Sequence, residues 1–165
     1  MGLNFTLQEV EDHFHNRERW LGAQAVVGRV AGDVLATFQA VSGNNVYGAA
    51  LQIMDVNDTP ILAGSIAFDP RMVLFTAAST NTLNKLRFIF GVSNVGNAEA
   101  AGQYTEMVYE QDAGATTHKP VELRCPRLPS GTLMWVKLWN AANLATVNFV
   151  FGMHEYGIPA TVALV

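Results

Sequence analysis

The chain has 165 residues, room for one domain of ordinary size and enough length to hold a core without a metal or a disulfide. Hydrophobic residues make up 50% and charged residues only 15%, against about 25% charged in an average soluble domain. That excludes a disordered chain, and 10 basic against 14 acidic residues, net −4, speak against a dedicated nucleic-acid binder.

One cysteine, Cys125, excludes an internal disulfide framework and supplies no metal cluster. No apolar run approaches the roughly 18 residues of a membrane span, and residues 1–17 show neither a basic start nor the apolar core of a signal segment. No membrane partner is expected.

From the N-terminus, Thr6-Leu7-Gln8-Glu9 has the form of a capping box, with Thr6 capping a helix and Glu9 reaching back to it. Leu7, Val10, Phe14 and Leu21 follow at helical spacing with charges between them. The spacing predicts a short amphipathic helix or ordered arm over 7–20, ending near Gly22, within an N-terminal arm of 1–24. From Ala25 the pattern turns to short apolar runs separated by turn residues. Strands are predicted over 25–30, 34–41, 46–54, 61–68, 71–77, 85–92, 103–110, 119–125, 132–140 and 145–155. The breaks fall at 42–45, 57–60, 69–70, 94–102, 112–117 and 126–131, rich in Gly, Pro, Asn, Asp and Ser. Nothing after residue 25 sustains a helical period long enough for the crossovers of a parallel sheet. The expected architecture is all-β: an antiparallel β-sandwich of the jelly-roll kind over 25–165, preceded by the arm.

Charge is unevenly placed. Glu9, Glu11, Asp12, Arg17, Glu18 and Arg19 supply a quarter of all charges, and only Lys85, Lys119 and Lys137 are lysines. A soluble monomer commonly carries mixed charge over its surface, whereas Lys and Glu are depleted where surfaces are buried between subunits. Strand 132–140 sharpens the point. Leu133, Trp135 and Trp139 share one face and Met134, Val136 and Leu138 the other. A solvated antiparallel strand normally has one polar face. An outer face this apolar needs a cover, from the chain's own loops or arm or from another copy, and association with other copies suits the charge shortage.

Catalytic patterns are few. His13, His15 and Glu18 resemble the first half of a cupin metal site, but they precede the strands, and Met134 stands where the second half would place a histidine after Pro129-Ser130-Gly131. Cys125 has no Cys-His signature around it and reads as a structural thiol. His154 and Glu155 are adjacent on a strand and point to opposite faces. No nucleophile elbow or phosphate loop is present in the sequence, so neither an enzyme nor a cofactor is expected. Trp135 and Trp139, with the tyrosines, offer either core area or an aromatic platform for sugars.

Residues 15–22, H-N-R-E-R-W-L-G, together with 126–140, P-R-L-P-S-G-T-L-M-W-V-K-L-W-N, and 149–156, F-V-F-G-M-H-E-Y, resemble a group of small virion proteins of tailed bacteriophages. The likeness lies at the two ends of the chain and leaves 30–115 untouched. It implies a jelly-roll component of the virion, a capsid decoration (cement) protein forming trimers on the capsid exterior after assembly in the host cytoplasm. Its partners would be further copies of the chain and the major capsid protein or other virion proteins. Contacts are expected from Phe14, Arg17, Arg19 and Trp20 on the arm and from Trp135 and Trp139 on the strand. The alternative is the receptor- or carbohydrate-binding head of a phage fibre or spike.

Overall fold

The computed structural model describes residues 17–21, 37–54, 65–80, 82–110 and 120–157. They form β1 Arg17–Leu21, β2 Phe38–Asn44, β3 Leu51–Met54, β4 Ser65–Ala78, β5 Asn84–Gly91, α1 Val95–Ala100, β6 Tyr104–Tyr109, β7 Pro120–Glu122, β8 Leu128–Pro129, β9 Leu133–Asn140 and β10 Thr146–Gly157. The expected all-β class holds. The predicted strand 25–30 lies outside the described residues.

The strands make one curled, mixed sheet in the order β6-β5-β9-β2-β10-β4-β7, with β3 on β9, β1 on β10 and β8 on β4. The curl runs through β2. Phe38 to Val41 pair with β10, whereas Ser42, Gly43 and Asn44 pair with Leu138, Trp139 and Asn140 of β9. That second pairing is parallel, so the wholly antiparallel arrangement expected from the sequence is corrected at this point. β2 serves two neighbours in succession, which a hairpin reading of adjacent strands does not anticipate.

Alternation explains why the curled sheet closes on one core. Leu86 and Phe88 of β5 face inward with Met134, Val136 and Leu138 of β9, and Val147, Phe149 and Phe151 of β10 join them from the other half. The Phe149 ring lies 5.5 Å from Phe38, 6.4 Å from Phe75 and 6.1 Å from Phe88, and Phe75 stacks on Tyr109 at 3.8 Å. Tilted and stacked aromatic contacts at these distances add to the burial of large apolar side chains.

Three local expectations are corrected. Residues 17–20 do not end a helix. They belong to β1, antiparallel to β10, with Arg17 opposite Glu155, Trp20 opposite Gly152 and Leu21 opposite Phe151. Pairing with β10 overrides the local helical spacing, which is a weak preference over so short a stretch. Residues 7–16 of that predicted helix lie outside the described residues. The break expected at Asp69-Pro70 is also absent, because β4 runs through it. Gly152 pairs with Met72 and Met153 with Pro70, leaving Arg71 as the extra residue of a bulge. A bulge is one of the few places in a sheet that tolerates a residue without an N–H. Finally, the predicted strand 119–125 shortens to Pro120–Glu122, and 123–127 forms a loop that returns to β4 through β8.

The break at 94–102 contains α1. The Asn94 side chain accepts a hydrogen bond from the Asn97 amide at 2.9 Å, an N-cap, and Gly102, with φ 71°, follows the helix where a left-handed turn is needed.

Candidate functional site

The residues singled out from the sequence fall in separate places. Phe14 lies outside the described residues. Arg17 and Arg19 sit on β1, where the sheet register places them opposite Glu155 and Met153. Trp20, half-buried, covers Gly152. Segments 17–21 and 151–155, far apart in the sequence, are thus strand neighbours.

Trp135 is only 7% exposed. It packs with Ile89, Ala98 and Leu133, flanked by Val95 and Ala50. The apolar outer face of β9 is therefore covered at Leu133 and Trp135 by the chain's own α1. The helix approaches closely because both sides are small: a Cβ on Gly91 would lie 2.8 Å from the Ala98 Cβ. Trp139 is half-buried, bridged to Tyr47, with the Lys85 ammonium 4.7 Å from its ring centroid.

Beside Trp135 runs an ionic strip that the sequence reading missed. The register puts Arg87 of β5 opposite Lys137 of β9, a like-charge pair that would repel. Glu99, the one acidic residue of α1, answers both: it accepts from Arg87 at 2.7 Å and pairs with Lys137. Arg87 also bonds Glu106 of β6 at 2.7 Å and lies 4.3 Å over the rings of both Tyr47 and Tyr104. The Lys137 hydrogen bond, aided by Arg87, holds the Glu99 carboxyl below its ordinary range against the opposing effect of burial. A hydrogen bond from Tyr47, then Arg87, does the same for Glu106. Burial and the bond to Glu106 push the Tyr47 phenol up to about 12. Burial alone would lower the Arg87 value, but its two carboxylate partners raise it. With two acids answering two bases, the strip carries little spare charge, and its tyrosine faces are engaged by Arg87.

A second cluster surrounds the β4 bulge. Asp69 accepts from Tyr156 at 2.7 Å and from Arg127 at 3.1 Å, and the Arg127 guanidinium lies 3.7 Å over the Tyr156 ring. Burial, then Asp69, raises the Tyr156 phenol. Burial, with the nearby Asp69 charge, pushes the Cys125 thiol up to about 12, so at neutral pH it is a protonated, slow nucleophile.

The third region is distinguished by what its sequence lacks. The stretches 38–54, 72–84 and 138–154 contain no Asp, Glu, Lys or Arg. Their loops converge on buried Asn140, whose carbonyl accepts from the Asn45 amide and whose side chain donates to Asn84 at 2.8 Å and to the Leu83 carbonyl at 3.3 Å. Around it Val46 is 57% exposed and Leu144 67%, with Leu83 also exposed. Among the described residues these three stretches carry no ionic side chain, and the end they form is partly apolar.

His13 and His15 of the cupin-like pattern lie outside the described residues. Glu18 sits on β1 opposite His154. Glu155 is fully buried and His154 half-buried. Among the described residues no three His, Cys, Asp or Glu side chains are grouped to hold a metal ion, and no helix is long and apolar enough to cross a membrane. No family model, curated protein or solved structure matches the chain.

Proposed function

We propose that the chain is a structural protein of a tailed-phage virion, a capsid decoration (cement) protein that associates as a trimer and stabilises the shell from its exterior. In this reading the two halves of the curled sheet are the layers of a jelly-roll sandwich. The observation that carries the proposal is the ion-free loop end around Asn140, with Val46, Leu83 and Leu144 exposed. An exposed apolar patch rimmed by polar residues is one mark of a protein-protein contact. The resemblance of 15–22, 126–140 and 149–156 to virion proteins points the same way. A decoration protein acts by adding contact area across joints of the shell, and binding to the assembled state stabilises that state by mass action.

The test is molar mass by light scattering at micromolar concentration, with co-sedimentation of the protein and expanded phage capsids. A trimer that sediments with capsids supports the reading, and Val46→Lys with Leu144→Lys should weaken association while leaving the fold intact. A monomer that also fails to sediment with capsids ends it.

A further inference from the structure

We propose that the cleft between the β4 bulge and the 123–127 loop is a binding site for an acidic peptide segment of a partner protein. The cleft has a volume of about 1210 Å³ and is bounded by Asp69 to Met72 on one side and by the β7 strand and following loop on the other. Ligand sites for small molecules usually enclose about 300–1,000 Å³, so the space suits a chain segment of several residues.

Its lining is amphipathic. Half-buried Met72 and Cys125 supply apolar surface over the buried Leu123, and Arg71, Arg124 and Arg127 bring three of the chain's arginines to one place. Against them stand two acids, Asp69 and Glu122. Asp69 is already held by Arg127 and Tyr156. Arg71 is different. Its Nη2 makes only long contacts, donating to the Tyr156 hydroxyl at 3.4 Å and lying 3.7 Å from the Asp69 carboxylate, and its side chain is 48% exposed. Arg124 is exposed as well. With Asp69 engaged, the exposed Arg71 and Arg124 outweigh the exposed Glu122, and two guanidinium groups beside half-buried apolar side chains are suited to carboxylates interspersed with apolar side chains.

The backbone of the bulge is largely committed. The Arg71 carbonyl accepts from the Leu123 amide at 2.6 Å and Pro70 has no N–H to offer. Recognition therefore runs through side chains rather than by adding a strand to β4. The aromatic ring nearby, Tyr156, is covered by Arg127, which leaves no open stacking face there for a sugar. Pro70, Pro120 and Pro126 stiffen the walls, which lowers the ordering cost of binding.

The experiment titrates the full chain with a fluorescent hexapeptide of alternating Glu and Leu and reads anisotropy. Saturable binding that weakens with salt is expected, with the Arg71→Gln/Arg124→Gln double variant about tenfold weaker, since both donors are exposed and their loss removes charge-assisted bonds. In the unsubstituted protein, bound peptide should also slow maleimide labelling of Cys125. The proposal is overturned by absence of saturable binding, by undiminished affinity in a folded double variant, or by labelling of Cys125 that the peptide leaves unchanged. It is equally overturned if the Gln-Leu analogue competes as well as the acidic peptide, or if polygalacturonate or inorganic phosphate binds the cleft more tightly.

Discussion

The indole of Trp20 lies over Gly152, its directly opposed partner across the β1–β10 pair. A Cβ built on Gly152 would stand 3.2 Å from Cη2 and Cζ3 of that ring and 3.3 Å from Cε3. The glycine gives the ring its seat, and the ring covers backbone that a glycine leaves bare. Gly152→Val should push the ring off and destabilise the protein by about 1–3 kcal/mol, the usual cost of overpacking. Chemical denaturation measures it. In a Trp20→Ala background the same change should cost markedly less, because the clash is gone.

A related expectation concerns the edge of β10. One edge of that strand is paired with β4; the other is served by β2 at Thr146–Phe149 and then by β1 from Phe151 to Glu155. Removing residues 1–21 takes away β1 and opens that second stretch. An exposed strand edge invites pairing with other chains. The truncated protein should unfold at lower denaturant concentration and aggregate faster on warming, as followed by turbidity.

What could be read in advance follows from which interactions act locally. The strands at 84–91, 104–109 and 133–140 were legible because one face of each is repeatedly apolar, and alternation over neighbouring residues is a local signal. β1 was not, since its partner lies some 130 residues away and only that partner overrides the helical spacing. The bulge that lets Pro70 sit in β4 is likewise set by the register of β10. At the candidate sites, the apolar outer face of β9 was visible but its cover was not. Six residues of α1 with two alanines look like loop, and what docks them is the lack of a side chain on Gly91. The Arg87–Glu99–Lys137 arrangement joins three elements, so no spacing along the chain announces it.

Helix α1 supplies the next prediction. Ala98 is 3% exposed and packs against Ile89 and Trp135. Ala98→Leu has nowhere to place its extra carbons, so the helix should lift from β5 at a cost of about 1–3 kcal/mol. The accompanying exposure of Trp135 should shift its fluorescence to the red. An exposed control, Ala100→Leu, should change neither stability nor emission appreciably.

The ionic strip makes stability depend on pH in a defined direction. Glu99 and Glu106 are held below the ordinary carboxylate value of 4.5, so the folded state binds their protons less readily than the unfolded chain. Their contribution is complete above that ordinary value and is lost as pH falls through the lower folded-state values. Glu99→Gln also leaves Lys137 opposite Arg87 without the carboxylate that bridges them, while Arg87 keeps Glu106. Its melting temperature should fall by about 2–5 °C at pH 7, a modest amount because both pairs are partly solvated. The gap to the unsubstituted protein should narrow as both are titrated toward pH 3, read by thermal melts across the series.

Asn140 gathers the loop end into one unit. It is fully buried, its amide donates to Asn84 and the Leu83 carbonyl, and its side-chain oxygen accepts from Thr82 at 3.1 Å and from the Ala142 amide at 2.7 Å. Ser42 ties the same corner from the other side, donating to the Ala142 carbonyl and accepting from the Ala145 amide. Asn140→Ala would take the partner from the buried Asn84 side-chain oxygen and from the half-buried Ala142 amide, each loss costing about 1–3 kcal/mol where water does not replace it. The expected loss is about 2–4 kcal/mol overall, because relaxation of the loops recovers part of it. Amide hydrogen exchange distinguishes a local from a general effect: exchange at Ala142 and Ala145 should accelerate well beyond exchange in β5. If the two regions accelerate equally, Asn140 supports the whole sheet rather than the shape of this end. If only the loops loosen, the association of copies proposed above should weaken along with them, since the exposed Val46 and Leu144 ride on the segments that Asn140 holds in place.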